Sequence, residues 1–270
     1  MTIFHSLILG IIQGAAEFLP VSSSAHLILA PWLFHFPDPG LSFDVALHFG
    51  TLIAVVLYFW KDWVEIFKVT VVPKVKLSEQ FLKFNFRKEM LWLLILSTIP
   101  GILAGYFLES FAETTFRSPI LVAFTLSAVG LILYLVDKYH RHRKKLNQIT
   151  WTDSLLIGLS QALAIVPGVS RSGATITTGL ALGLNRESAA RFSFLLSTPI
   201  IFGAAAFNFP GLLESGFDAN IILGMLSAAA SGYLAIKYLL KFVERKGYAI
   251  FFWYRLALAA AILSAIYFQG

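Results

Sequence analysis

The chain has 270 residues, of which 57% are hydrophobic and 13% charged, with a mean hydropathy of +0.75. A soluble domain carries about 25% charged residues, so the composition excludes an ordinary soluble globule and indicates an all-α polytopic membrane protein. The absence of cysteine excludes disulfides and thiolate metal sites, and the net charge of +6 sits in loops between apolar runs, which argues for membrane topology and against a nucleic-acid partner.

The N-terminal MTIFHSLILG has neither a basic stretch nor a small-residue cleavage site, so the first segment is expected to stay in the mature protein. An apolar run over residues 3–19 breaks at Pro20 and resumes from about Ser24 to Phe34. A spanning helix needs about 20 apolar residues. Two shorter runs hinged at LPVSSS predict instead a re-entrant helical hairpin over about 3–34. Broken backbone at membrane depth is tolerated only inside protein or beside a wet cavity. Residues 43–60 predict a first span, followed by a basic loop with Lys61, Lys68, Lys74, Lys76, Lys83, Arg87 and Lys88. Residues 90–108 and 119–136 predict the next two spans, joined by a short loop holding Glu109, Glu113 and Arg117. After the polar run DKYHRHRKKLNQ, residues of about 154–184 repeat the hairpin pattern, with a break at Pro167-Gly168 and a polar SRSGAT. Residues 190–209, 221–239 and 249–268 complete six spans in one integral membrane domain over 1–270.

Cation counting orients the chain. With neither hairpin crossing, the loops 61–89, 138–150 and 240–248 share one side and hold seven, five and three of the twenty-one Lys and Arg residues. The opposite side has Arg117 as its only loop cation, with Glu109, Glu113, Glu214 and Asp218. The basic side is therefore expected to be cytoplasmic, with both termini outside. Trp60, Trp63, Tyr139, Trp151, Trp253 and Tyr254 fit an interfacial aromatic belt, and Arg186, Glu187 and Arg191 read as interfacial anchors. His140 and His142 belong to a solvated basic loop. The hairpins dip in from opposite faces, and a shift of 148 positions superposes Gly10, Gln13, Ala16, Val21, Ser22 and Ser24 on Gly158, Gln161, Ala164, Val169, Ser170 and Ser172. Matching hairpins on opposite faces are what an inverted-topology repeat predicts, with a site between the broken helices.

The polar residues of those breaks carry the chemistry. An ionisable side chain inside membrane-type sequence marks a functional site. QGAAEFLPVSSSAH places Glu17, Ser22, Ser23, Ser24 and His26 within one apolar region. They supply a nucleophile, an acid or base, and a metal or proton partner. PGVSRSGAT adds Arg171 at the entrance of a new helix, among Ser170, Ser172 and Thr175. A helix N-terminus beside a guanidinium suits a phosphate anion. Asp44 and His48, one turn apart, are candidates for lining the same cavity.

The two motifs resemble those that define the bacterial undecaprenyl-pyrophosphate phosphatase family, also called the bacitracin-resistance protein family. The FDVALHFGTLIAV and FSFLLSTPIIFGA segments extend the likeness over almost the whole chain. The resemblance implies removal of the terminal phosphate of a C55 lipid pyrophosphate on the outer side of the bacterial inner membrane, regenerating the carrier for cell-wall synthesis. It implies a fold of six spans with two opposed re-entrant hairpins and dependence on a divalent cation, Mg²⁺ or Ca²⁺. By motif position, Glu17 matches the essential acidic residue, Ser23 the nucleophilic or phosphate-binding serine, His26 the essential histidine and Arg171 the phosphate-binding arginine. Gln13 stands where many relatives carry a second Glu, so Glu17 is the carboxylate expected to hold the metal. The partners expected are a polyprenyl pyrophosphate and membrane lipids; a homodimer is left open. So is a competing class, a transporter or lipid flippase, because broken helices in an inverted repeat are also transporter architecture. A scaffold without chemistry would leave Glu17 and Arg171 unexplained.

Overall fold

The computed structural model describes residues 2–34, 36–37, 39–72, 86–113, 116, 118–140, 143–216 and 218–269. Lys74, Lys76, Lys83, Arg117, Arg141 and His142 lie outside them. In chain order the helices are α1 (Ile3–Phe18), α2 (Ser23–Phe34), α3 (Leu41–Tyr58), α4 (Trp60–Val71), α5 (Met90–Glu113), α6 (Pro119–Tyr139), α7 (Trp151–Ala162), α8 (Arg171–Ala181), α9 (Arg186–Ser215), α10 (Ala219–Lys246) and α11 (Ala249–Gln269). Short 3-10 turns at Leu146–Gln148 and Leu163–Ile165 precede and follow α7, and no strand occurs among the described residues.

Among the described residues five helices, α5, α6, α9, α10 and α11, are long and apolar enough to cross a membrane. The count becomes six if α3 and α4, bent by 67° at Phe59, are taken as one span. The chain is therefore a multi-pass membrane protein, and its helices show large apolar side chains on their outer faces, as a lipid-facing surface does: Phe124 is 68% exposed and Tyr267 81%. The helix starts follow the expected chemistry. Ser, Thr, Asn or Asp side chains accept from backbone N–H groups in the first turns of α1, α7, α8, α9 and α10, at Thr2, Thr150, Ser170, Asn185 and Asp218.

One expectation is corrected at the basic side. The stretch from Trp60 on is not all loop: α4 occupies its first twelve residues. It turns its Asp62, Glu65 and Ile66 inward and leaves Trp60, Lys61, Phe67 and Lys68 outward, an amphipathic pattern legible in WKDWVEIFK. Two supposed surface anchors also turn inward. Arg191 is 6% exposed, lies 2.9 Å from Asp62 Oδ1 and covers the Phe59 ring at 5.2 Å. Arg186 grips Asp137 with Nε at 2.6 Å and Nη2 at 3.2 Å, and the Tyr248 N–H donates to the same carboxylate at 2.9 Å. Ion pairs thus join both α4 and α6 to α9, and a hydrogen bond ties α6 to the α10–α11 turn.

The short helix α1 is held against α10 by the absence of side chains. A Cβ on Gly10 would lie 2.3 Å from the Gly224 carbonyl oxygen, and one on Gly14 2.3 Å from that of Ala228. No residue larger than glycine fits such backbone approach, the usual device where lipid gives helices no hydrophobic reason to associate. Ser227 and Ser231 of α10 donate to the Leu7 and Gly10 carbonyls across this contact. α8 is wedged between α6, α7 and α9. The consequence is that the broken ends of α1 and α7, and the starts of α2 and α8, are brought together inside the helix bundle.

Candidate active site

Each break begins with a residue that cannot continue a helix. Pro20 forces Leu19 into extended backbone, with φ −65° and ψ 138°, and Pro167-Gly168 ends the 3-10 turn after α7. Each break ends with a serine at positive φ, Ser22 at 73° and Ser170 at 70°. An L-residue with positive φ is strained and holds that conformation only where its surroundings over-determine it. Here they do. Ser22 Oγ lies 3.4 Å from the Ala25 N–H at the start of α2 and 3.2 Å from Ser24 Oγ. Ser170 Oγ lies 3.1 Å from the Gly173 N–H at the start of α8 and 3.2 Å from Ser172 Oγ. The breaks also satisfy one another: the Gly168 N–H donates to Ser22 Oγ at 3.1 Å, and Ser172 Oγ donates to the Leu19 carbonyl at 3.1 Å.

The first residue of each new helix then points at Glu17. Ser23, opening α2, donates to Glu17 Oε2 at 2.7 Å. Arg171, opening α8, donates from Nη2 to Glu17 Oε1 at 2.9 Å. Gln13, one turn earlier on α1, donates to Oε2 at 3.0 Å, and His48 Nε2 of α3 lies 3.7 Å from the same oxygen. Two helix N-termini therefore meet over one carboxylate. Their free N–H groups and the guanidinium make the locality attractive to an anion beyond the charge that Glu17 cancels.

These groups floor a cavity of about 550 Å³. Its polar lining is Glu17, Ser22, Ser23, Ser24, His48, Gln161, Ser170 and Arg171, with Asn208 of α9. Its walls are apolar or small, including Gly101, Ile102, Gly105 and Tyr106 of α5 and Ile200, Gly203 and Phe207 of α9.

The other predicted residues are placed differently. Ser172 is buried on the Leu19 carbonyl. Thr175 bonds Ser193 Oγ at 2.7 Å and the Arg171 carbonyl at 2.8 Å. Both support the turn instead of facing the cavity. Asp44 offers its carbonyl oxygen to His48 Nδ1 at 2.8 Å, so that His48, and not Asp44, reaches the lining. His26 does not line the cavity. Its Nδ1 lies 2.7 Å from the Ser22 carbonyl and its Nε2 2.6 Å from Tyr254 Oη of α11, with the two rings stacked at 5.7 Å. Sequence reasoning missed two residues. Ser193, in the FSFLLST segment, receives Arg171 Nη1 on its carbonyl at 3.1 Å and so aims the guanidinium. Arg255, in α11, is fully buried among carbonyl oxygens of both breaks; its charge within an apolar span was the signal.

Among the described residues no three His, Asp or Glu side chains come together as a metal cluster. What the site offers a cation is oxygen: the Glu17 carboxylate, the Ser23 hydroxyl and Gln13 Oε1, which is buried without a hydrogen-bond partner. An all-oxygen set that leaves room for waters fits a hard divalent ion such as Mg²⁺ or Ca²⁺.

Residues 6–261 match the family model described as Bacitracin resistance protein BacA. The chain belongs to this family. It is 48% identical over 263 residues to a protein named undecaprenyl-diphosphatase from Pelotomaculum thermopropionicum, covering 97% of this chain and 96% of that one. It is 48% identical over 269 residues to a protein of the same name from Moorella thermoacetica, covering 100% of both. A third of that name, from Gemmatimonas aurantiaca, is 41% identical over 267 residues, with 98% of each chain covered. The family's match encloses both breaks and every residue placed around Glu17.

Proposed function

We propose that this protein is a membrane-embedded phosphatase that hydrolyses undecaprenyl pyrophosphate to undecaprenyl phosphate and inorganic phosphate, recycling the lipid carrier for cell-wall synthesis. Bacitracin resistance is the phenotype carried by the family name. The observation that carries the reading is the convergence of Ser23 and Arg171, each the first residue of its own helix, on Glu17 at the floor of an otherwise apolar cavity. Binding an anion for transport would need the arginine and the helix ends. It would not need a serine hydroxyl donating to a buried carboxylate.

The chemistry follows from who touches whom. The terminal phosphoryl group sits against Arg171 and the N–H groups opening α2 and α8, which neutralise charge on its oxygens. Stabilising that charge is the main demand of phosphoryl transfer. Ser23 Oγ attacks the terminal phosphorus while its proton passes to Glu17 Oε2. The bond to the bridging oxygen breaks, and undecaprenyl phosphate leaves. Once Glu17 has passed that proton on, water attacks the phosphoseryl group and loses a proton to Glu17, which hands it to Ser23 Oγ as the P–O bond breaks and phosphate departs. His48, 3.7 Å from Glu17, relays protons between that carboxyl and the cavity, while His26 and Tyr254 brace the Ser22 turn. Glu17, Ser23 and the Gln13 amide oxygen are the residues that would hold a divalent ion, which supplies further neutralisation of phosphate charge when bound.

The finer architecture belongs to the same proposal. α1–α2 and α7–α8 form two re-entrant hairpins dipping from opposite faces, related as an inverted repeat. Support comes from the shortness of all four helices, their paired breaks and the positive φ shared by Ser22 and Ser170, 148 positions apart. The site opens to the outer face of the inner membrane. Its walls use Gly101–Tyr106 and Ile200–Asn208, the halves of α5 and α9 away from the basic ends at Arg87, Lys88 and Arg186. The polyprenyl tail leaves between α5 and α9, where a Cβ on Gly105 or Gly203 would meet nothing within 4 Å.

The test is phosphate release from undecaprenyl pyrophosphate by the detergent-purified protein, with and without EDTA. Turnover by the wild type that collapses in Glu17→Gln and Arg171→Ala is the expected result. No release from demonstrably folded protein would overturn the enzyme reading; lipid movement across vesicles without release would replace it with a flippase. Loss of turnover with EDTA, restored by Mg²⁺ or Ca²⁺, is expected of the cation; full activity in EDTA would remove it.

A further inference from the structure

Arg255 is among the largest fully buried side chains of the described residues, and the mechanism above does not use it. It lies in α11, far in sequence from both motifs, yet all its hydrogen bonds end at carbonyl oxygens. Nε donates to Leu126 of α6 at 2.9 Å, Nη1 to Pro20 at 3.3 Å, and Nη2 to Gly168 at 2.5 Å and Val169 at 3.0 Å. Among the described residues it forms no ion pair. An intramembrane arginine is costly, and a hydrophobic residue of similar size would fill the same space without that cost. Pro20 and Gly168 occupy corresponding places in the two breaks, 148 positions apart. One guanidinium thus grips both breaks at the same point, on carbonyls that broken helices leave without internal partners.

Those carbonyls stand three residues before Ser23 and Arg171 respectively. A rigid fork between them sets how far apart the two groups meet at Glu17. We propose that Arg255 is a positioning residue for phosphoryl transfer: it fixes the spacing of Ser23 and Arg171 across Glu17 through the planar geometry of its guanidinium. A lysine in its place would keep the charge but not the fork, since an ammonium is a point donor on a flexible stem. A misplacement of about 1 Å at a reacting centre costs on the order of 100-fold in rate.

The inference rests on the phosphatase reading, and wild-type turnover is the control whose failure would count against that reading instead. Arg255→Lys is measured for kcat, KM and thermal unfolding, alone and combined with Ser23→Ala. The expected result is a kcat lowered about 10- to 100-fold with KM within about threefold, and a double variant no slower than the slower single one. Non-additivity separates a positioning role from a general loss of folding, because residues acting through one geometry do not multiply their losses. Wild-type kcat in Arg255→Lys, or losses that multiply in the double variant, would overturn it. Should Arg255→Lys not fold, Gly130→Ala decides. Its Cβ would press on Arg255 Cδ at 3.3 Å and Cβ at 3.4 Å, shifting the stem while keeping the guanidinium. A kcat reduced at unchanged KM is then expected, and an unchanged kcat would sink the proposal.

Discussion

The two breaks share a backbone and divide the chemistry. Ser22 and Ser170 take the same left-handed turn, each approaching a second serine hydroxyl two residues on at 3.2 Å. The side chains that follow differ at every functional place. Where the first break has Glu17, Ser23 and His26 around it, the positions 148 residues on are Ile165, Arg171 and Ala174. The first supplies the carboxylate and hydroxyl, the second the fixed positive charge. Their burial differs as well: α8 packs most of its length into the protein, whereas α2 holds Ser24 exposed and His26 against a half-exposed Tyr254. On the proposed mechanism, the first break reacts and the second holds.

The largest effects should come from removing that division. Arg171→Ala is expected to lower kcat about 10³-fold, the scale of losing a charge-stabilising donor in a water-poor site. Glu17→Gln should come close to it, because Ser23 loses its proton acceptor; phosphate-release kinetics on folded protein check both. Ile165→Glu makes the halves more alike and should harm the enzyme. A carboxylate at the position matching Glu17, on the cavity lining, competes for Arg171. A fall of about tenfold in kcat/KM is expected, and unchanged kinetics would show that the two halves are not related in the way their backbones suggest.

The order of the apolar helices, both breaks and the meeting of Glu17 with Arg171 were legible in the sequence, because each has a local cause: apolar runs, prolines, and charges where lipid would reject them. What the sequence could not show was direction. QGAAEFLPVSSSAH looks like one cluster, but helical geometry sends Ser23 toward Glu17 and His26 three residues later toward Tyr254. His48 looked no better than Asp44 one turn before it, until the Asp44 carbonyl was found on Nδ1 with Nε2 turned toward Glu17. Arg255 carries no motif at all; its meaning depends on two breaks that only folding brings within reach of α11. The helix α4 was hidden by its lysines, which read as loop and prove to be the wet side of an amphipathic turn.

A difference between two substrates tests the route of the tail. Gly105→Leu and Gly203→Leu add side chains whose Cβ would meet no neighbouring element within 4 Å, so neither should unfold the bundle. Both should raise KM for the C55 substrate while sparing a short-chain pyrophosphate of the same head group. A few lost methylene contacts at about 0.8 kcal/mol each would amount to roughly ten- to a hundredfold. Equal changes for both substrates would move the tail elsewhere.

The smallest difference is the most direct reading of how far the two breaks are equivalent. Replacing either positive-φ serine with glycine relieves backbone strain of about 1–3 kcal/mol, and loses only a few tenths of a kcal/mol as a helix cap. At Ser170 little else is at stake beyond its contact with Ser172 Oγ, so Ser170→Gly should unfold at or slightly above the wild-type temperature. At Ser22 the hydroxyl also accepts from the Gly168 N–H across the interface. Ser22→Gly leaves that buried donor unpaired, at a cost of about 1–3 kcal/mol, which cancels or exceeds the relief. Thermal unfolding in one detergent should therefore rank Ser170→Gly above Ser22→Gly. If the two variants melted together, the hydrogen bond from the second break to the first would contribute nothing. The asymmetry would then lie only in the side chains that face Glu17.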